Sequence, residues 1–462
     1  YRSGTEPLPD VSVVLPASRW VHVNPVDGDD TAAIQAAIDS VEAMTPDANG
    51  WRGVVFLNAG EYQLANTVNI NAGGVVLKGA GDSPTTGTRL RATATKQYVL
   101  VNVSGSGSHA TVTNTTHNLI QKLLPAGSRT FEVDSTANLA VGHTVRVKRP
   151  STAEWIADID MDQLGPSSGG DADDVPWTPG SKDLYFDRVI TAIDGNWITV
   201  DAPLPQSFES QYGGGQVWRY TWSGRIQQNG VEDIYGISNY SGSTDENHAW
   251  TFIRFSAAQH GWVRNITGQH FGNNAVLVTG AAKWISVVDS QCLDPISIIT
   301  GGRRYSFSNE GAELTFFHNN HARKGRHDYV FGSTVEGPNA FVQCSADTAY
   351  SDTGPHHRWS VGGLFDNLTI NGNAIDAENR GNLGTGHGWA GAYMAVWNCT
   401  ASSFRVRNPP TARNWLVGSK GPVYSSSYPV GADPAGTYDS SGSSGVPVHP
   451  RSLYHAQLQQ RM

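Results

Sequence analysis

The stretch DDTAAIQAAIDSVEAM, residues 29–44, decides the fold when read with the runs behind it: GVVFLNAGEYQL at 53–64, TVNI at 67–70 and GVVLKGAG at 74–81. Ile34, Ala37, Ile38 and Val41 recur at helical spacing and fall on one face, with Asp29 or Asp30 placed to cap the first turn. A short amphipathic helix is expected there. The three runs that follow are rich in β-branched residues and broken by Gly and Asn. Strands so brief need stacking partners beyond their neighbours in the chain.

Similar units return after residue 225: GVEDIYGISN from Gly230, GWVRNITGQHF from Gly261 and AKWISVVDSQC from Ala282, then PNAFVQCSAD, GGLFDNLTING and MAVWNCTASSFRV. They recur mostly every roughly 20 to 30 residues, the period of a parallel β-solenoid whose coils repeat in structure rather than in identity. Between the two series, residues 106–222 change character. AGSRTFEVDSTANLAVGHTVRVKRP and DRVITAIDGNWITVDAPL read as antiparallel hairpins around an Asp/Gly-rich excursion at 158–183. A small barrel-like β insertion is expected, acting either as a shield for the coils or as a wall of a substrate cleft. The chain thus divides into a cap and first coils (1–105), the insertion (106–222), the main body (223–425) and an extended Ser/Gly/Pro-rich tail ending in a short helix (426–462).

Composition narrows the class. With 462 residues, 51 Gly, 14 Trp and only 16% charged residues, the chain suits a large, turn-rich β surface and not a disordered one. The net charge of -9 and the mixing of basic with acidic side chains argue against nucleic acid. No run reaches the ~18 apolar residues of a membrane helix. The start at Tyr1 reads as a mature or trimmed product. Cys292, Cys344 and Cys399 match neither a disulfide framework nor a zinc motif and are expected as buried strand residues, with at most one disulfide among them. The sequons at Asn265 and Asn398 fall on expected strands, which disfavours glycosylation.

The helix DDTAAIQAAID, the following VVFLNAGEYQL and the ladder of short strands together resemble the pectate-lyase-like right-handed parallel β-helix superfamily of carbohydrate-active enzymes, over about residues 20–105 and 225–425. The resemblance implies an all-β, single-stranded right-handed parallel β-helix whose open first coil is covered by the N-terminal helix. It also implies a secreted or periplasmic monomer acting on an acidic polysaccharide or oligosaccharide. Lyases, hydrolases, epimerases and phage tailspikes share that fold, so the reaction must be read from the site.

Base is concentrated between Gly301 and Trp389, in GGRRYSF, ARKGRHDY, DTGPHHRW and ENRGNLGTGHGW. On successive coils these units bring Arg303 and Tyr305, then Arg326, His327 and Asp328, then His356, His357 and Arg358, then Arg380 and His387 toward one groove. Alternation along a strand turns Arg304 away from Arg303 and Tyr305. β-Elimination of a uronate needs a neutralised carboxylate, a base for the α-proton and an acid for the leaving oxygen. Arginine pairs bidentately with a carboxylate, while histidine and tyrosine move protons. The catalytic expectation is therefore His327 or His357 as base, Tyr305 as acid or co-base, and Arg326 and Arg358 on the carboxylate, with Asp328 orienting an imidazole. Arg303, His356, Arg380 and His387, with Trp359 and Trp389 in Gly- and His-rich loops, are expected to contact the glycan; Trp262, Trp284 and Trp397 are expected in the core. The competing reading of HisHisArg is a loop satisfying its own backbone.

The alternative reaction is hydrolysis by paired carboxylates, drawn from Asp294, Asp328, Asp347 and Asp352. Gly386-His387-Gly388 is similar to the histidine motif of polygalacturonases, although their NTD, paired-Asp and RIK elements are missing at suitable places, and Asp173-Asp174 lies far upstream. A non-catalytic glycan-binding β-helix is the third reading. With arginines on the carboxylate no cofactor is required. The resemblance brings calcium as an option, with Asp158, Asp160 and Asp162 as the candidate ligands in a DxDxD run that lacks the glycine and terminal glutamate of an EF-hand loop; a solvated acidic loop is the plainer reading.

Overall fold

A computed structural model describes residues 7–164, 176–424, 437–438 and 445–462. Residues 426–436 and 439–444 of the expected tail, and the pair Asp173-Asp174, lie outside the described residues. The chain is a right-handed parallel β-helix: a 20-stranded parallel sheet supplies two ladders and a separate 7-stranded parallel sheet supplies the third.

Strand alternation creates the core. On the first ladder, Val55, Leu77, Val231, Val263, Val287, Phe317, Phe341, Phe365, Val396 and Leu416 stand in register from coil to coil. All ten are buried, and Phe341 lies between Phe317 and Phe365 with centroid spacings of 4.6 and 5.7 Å. Each large side chain in such a stack contributes about 1.5–3 kcal/mol by leaving water.

The open first coil is closed by the helix Thr31–Glu42, which buries Ile34, Ala37, Ile38 and Val41 against Val55, Leu57 and Tyr62. The two aspartates before it divide the work. Asp29 Oδ1 accepts from Thr31 N at 3.0 Å, as a capping residue does, whereas Asp30 is fully buried and accepts from Val26 N and Gln63 N, both at 2.7 Å. Asp30 therefore fastens the helix to the coil below it.

Residues 110–221 leave the helix as antiparallel strands, built around Thr144–Arg149, Leu184–Asp194, Trp197–Leu204 and Gln216–Thr221 in a 7-stranded sheet. Buried ion pairs lock this insertion to the coils: Arg188 to Glu313 at 2.5 Å, and Asp187 to both Arg225 (2.6 Å) and Lys283 (3.1 Å). Loss of one partner would strand a buried charge, so these pairs fix the docking angle more than they add net stability. Inside the insertion a helix, Ala153–Asp158, sends Trp155 into a core that continues across the boundary into Trp359, Val361 and Trp389 of the helical body.

Several expectations are corrected. Trp359 and Trp389 are 0% and 2% exposed and belong to that shared core, not to a sugar-facing loop. Trp155 meets Trp359 edge-on at 4.7 Å, and the Trp359 and Trp389 indoles donate to Gln206 Oε1 and Ile159 O. Conversely Trp284 and Trp397 are half-buried on the outer surface, while Trp262 is buried. The three cysteines are free and buried, with burial pushing each thiol up to about 12, so none is disulfide-bonded. Asn265 lies within the strand Ala258–Gln269, and Asn398 is buried with its amide on Val448 O and Arg451 O. The terminal helix Leu453–Arg461 stacks Tyr454 on Phe316 at 4.6 Å.

Candidate active site

The third ladder ends in the strands Phe307–Glu310, Tyr329–Ser333 and Gly354–His357. Alternation puts Phe307, Tyr329 and Phe331 inside; the residues just before each strand, and the outward positions on it, meet on the surface that faces the insertion. There Tyr305, His327, His356, His357 and His387 form one continuous aromatic cluster. Ring centroids are 5.1 Å from Tyr305 to His327, 4.5 Å from His327 to His356, 5.1 Å from His356 to His387 and 5.0 Å from His357 to His387. Residues from four coils thus converge, although up to 82 positions separate them in the chain.

Hydrogen-bond polarity assigns protons within the cluster. Arg380 Nη1 can only donate, and it meets His356 Nδ1 at 2.7 Å, so neutral His356 carries its proton on Nε2. That Nε2–H donates to Tyr305 Oη at 3.0 Å, which frees the phenolic proton to be given elsewhere. The guanidinium of Arg326 also lies against the Tyr305 hydroxyl. Next door, His327 Nδ1–H donates to the backbone carbonyl of Asp352 at 2.6 Å, and the Asp352 carboxylate is 3.5 Å away. His327 Nε2 is left as a buried lone pair without a hydrogen-bond partner.

The electrostatics follow from burial among cations. Burial holds His327 neutral, down to about 4, and His357 down to about 3, with Arg358 adding to the effect at His357. His356 and His387 are pushed down in the same direction, by burial first and then by neighbouring imidazoles and Arg380. Burial raises the Tyr305 phenol while Arg326 opposes it. Asp352 is half-buried; desolvation raises its carboxyl, yet Arg380 and the hydrogen bond from Ser351 keep it ionised, well below the usual carboxylate range. Behind it, burial and Asp352 drive Asp376 up to about 7, and burial and Asp376 drive Glu378 up to about 8.

Other expected site residues stand elsewhere. Arg303 is spent on a two-pronged pair with Glu246 at 2.6 and 3.0 Å, and Arg304 is buried with its guanidinium on Ser297 O. Asp328, next to His327, points to the opposite side into the coil, where it accepts from Ser306 Oγ at 2.6 Å; burial lifts it to about 7, and it orients no imidazole. Asp294 is held by Arg323 at 2.5 Å on the second ladder, and Asp347 there accepts from Asn371. The hydrolytic set Asp294, Asp328 and Asp352 is therefore not assembled. Arg358 is at the rim, its guanidinium donating to Thr385 O at 2.6 Å.

Three acids in or against the cluster escaped the sequence reading: Glu310, Asp376 and Glu378. Glu310 is raised by burial and lies across Gly332, where a Cβ would collide with its carboxylate. Nothing in SNEG or DAENRG distinguishes these carboxylates from solvated ones; only the coil register carries them inward.

The carboxylates Asp158, Asp160 and Asp162 are exposed and do not gather: Asp158 accepts from Tyr212 Oη at 2.5 Å and Asp162 from Gln163 at 3.0 Å. They do not fit calcium. Donor atoms of His327, Asp352 and His356 do come within 4.8 Å of one another. Two imidazoles and one carboxylate are not the oxygen set that calcium takes, and the Arg380 guanidinium already occupies His356 Nδ1.

Residues 24–204 match the family model described as rhamnogalacturonase A/epimerase, pectate lyase-like. Over those residues the chain resembles pectate-lyase-like proteins, and the coils described above carry the right-handed β-helix fold on through the rest. No curated protein matches it by sequence. Among solved structures it is similar to the tailspike protein gp49 from Pseudomonas phage LKA1, at 15% identity and a TM-score of 0.48 over 86% of this chain; the chain spans 57% of that protein. It is similar to DFA-IIIase from Arthrobacter chlorophenolicus A6 at 10% identity and a TM-score of 0.38, covering 93% of this chain and 97% of that one. A GH87 α-1,3-glucanase catalytic domain in complex with nigerose gives 10% identity and a TM-score of 0.37, covering 92% and 64%.

Proposed function

We propose that the protein is a secreted polysaccharide lyase that cleaves a uronic-acid-containing glycan by β-elimination, without a cofactor. The observation that carries this reading is the directed chain from Arg380 through His356 to the Tyr305 hydroxyl, set beside Arg326. Tyr305, His357 and His387 are the half-buried members of the cluster, with His327 and His356 buried behind them, and of the three it is the Tyr305 hydroxyl that takes the His356 Nε2–H and lies against Arg326. Tyr305 accordingly does the proton transfer. As phenolate, stabilised by His356 Nε2–H and Arg326, it takes the proton α to the uronate carboxyl; as phenol it then protonates the leaving glycosidic oxygen. Arg326 and Arg358 neutralise the carboxylate so that this α-proton becomes acidic. The resting phenolic proton leaves to solvent from the half-buried Tyr305, since His327 is held neutral by burial and does not keep it. The matched family model, named for a rhamnogalacturonase and an epimerase, supports a glycan substrate.

Tyr305→Phe removes one oxygen and leaves the ring packing, so turnover is expected to fall by roughly 10²–10⁴ with thermal stability little changed. Activity within a few fold of the parent would take Tyr305 out of the mechanism.

One observation favours hydrolysis instead. Asp352 is held ionised while Glu378, near it, is held protonated, the split of roles that an acid and base pair requires. In that case Glu378→Gln, and not Tyr305→Phe, abolishes cleavage.

A further inference from the structure

Glu310 takes no part in the proton transfers at Tyr305, yet the fold makes room for it. Asn309 pairs with Phe331, which pairs in turn with Pro355, so one position along these strands Glu310, Gly332 and His356 stand in a row over three coils. A β-carbon on Gly332 would collide with Glu310 Oε2 and lie 2.5 Å from its carboxyl carbon. The Glu310 carboxyl therefore rests on the Gly332 backbone, in the place a side chain would fill. Glycine inside a strand weakens it, and close approach of another group is one use such a position serves. Gly332 is interior to the strand Tyr329–Ser333, and Glu310 is the group that approaches.

The carboxyl is part of the site. Its ionisation bears on the Tyr305 phenol, the His357 ring lies against the Gly332 backbone, and His356 is the next side chain in the row. Ser308 Oγ donates to Glu310 Oε1 at 2.9 Å and orients the carboxyl, while Glu310 is half-buried, as Tyr305 is. Burial raises this carboxyl against the pull of Ser308, and its uncharged form does not repel a uronate bound beside it. A carboxylic acid both donates and accepts a hydrogen bond, as a sugar hydroxyl does. A sugar lying over Tyr305 therefore meets, on the floor built by Gly332, a group matched to its hydroxyls.

We propose that Glu310 is a specificity-determining residue that holds the ring hydroxyls of the uronate bound at Tyr305, so that the protein takes a polyuronate whose hydroxyls are unsubstituted and discriminates against its O-acetylated form. The inference rests on the acidic-glycan reading above and narrows it.

The test compares the full chain with Glu310→Ala, Glu310→Gln and Gly332→Ala on one polyuronate, used unsubstituted and after chemical O-acetylation. New reducing ends give kcat and KM whichever way the bond is cut, and calorimetry with a short unsubstituted uronate oligosaccharide gives affinity without turnover. Glu310→Ala is expected to raise KM and Kd on the unsubstituted substrate roughly tenfold, with kcat within about threefold, and to leave the O-acetylated polymer unaffected. Glu310→Gln, which still donates and accepts, stays within about threefold of the parent on both. Gly332→Ala displaces the same carboxyl without removing it, so it reproduces the Glu310→Ala loss and adds nothing to it in the double variant. Equal losses on both polymers, no loss on either, or additive losses in the double variant overturn the role of Glu310. Absorbance of an unsaturated uronate, followed in the same reactions, separates the two readings. A Glu310-dependent preference without that absorbance upholds the hydroxyl contact and sinks the lyase reading. Absorbance with a preference that ignores Glu310 does the reverse, and neither binding nor cleavage removes both.

Discussion

At the scale of residues, the site is a set of protons placed by hydrogen-bond donors that cannot accept. Arg380 forces the tautomer of His356, and the Asp352 carbonyl forces that of His327. The price is four imidazoles held neutral, and it has a measurable sign. The folded pKa of His327, about 4, is below the ordinary 6.5, so the unfolded chain binds the proton more readily. Its stability contribution is complete above pH 6.5 and is lost as pH falls from there toward 4, about 3 kcal/mol for this nearly unexposed group. Denaturant unfolding measured across that window should show the loss, and His327→Asn should flatten the slope by that share; an unchanged slope would contradict the neutral assignment. Residue types at this level were legible because Tyr305, His327, His356, His357 and His387 are chemically unusual in an acidic chain. What was not legible is which way each points. Trp359 and Trp389 look like loop aromatics in sequence, yet a partner core some 200 residues upstream, around Trp155 and Trp177, buries them. Asp328 fails for a simpler reason, since strand alternation sends it to the side opposite His327.

Among the elements, the N-terminal helix shows how far pattern alone reaches. Its four apolar positions are those buried, because a 3.6-residue period over one coil mouth leaves little choice. The pattern does not separate Asp29 from Asp30, whose roles depend on the strand containing Gln63. Asp30→Ala leaves two part-buried backbone donors without their acceptor and is expected to cost about 2–3 kcal/mol, against about 1 kcal/mol for Asp29→Ala at the exposed cap. Paired chemical-denaturation curves check the order, and equal costs would refute the fastening role of Asp30. The strands of the three ladders are legible for the same reason as the helix, as short apolar runs at a solenoid period. The outward turn of Trp284 and Trp397 is not, because the runs AKWISVV and MAVWNC do not reveal which alternate set faces in, and it is Ile285, Val287 and Val396 that do.

On the scale of the whole molecule, the insertion and the last coils of the third ladder act as one body. A shared hydrophobic core and buried ion pairs hold the insertion over the surface where the histidines meet, and the Trp177 indole, donating to Gly386 O, joins it to the loop of residues 379–389. The family match ends at residue 204, so it takes in the first coils and most of the insertion but none of Tyr305, His327, His356 or Arg380. The reaction therefore has to be decided on its product. The most direct measurement is incubation with a panel of acidic polysaccharides, following the ultraviolet absorbance of an unsaturated uronate alongside new reducing ends. The account predicts that both rise together on a polyuronate. Reducing ends without that absorbance would contradict it, and would move the chemistry from Tyr305 to Asp352 and Glu378.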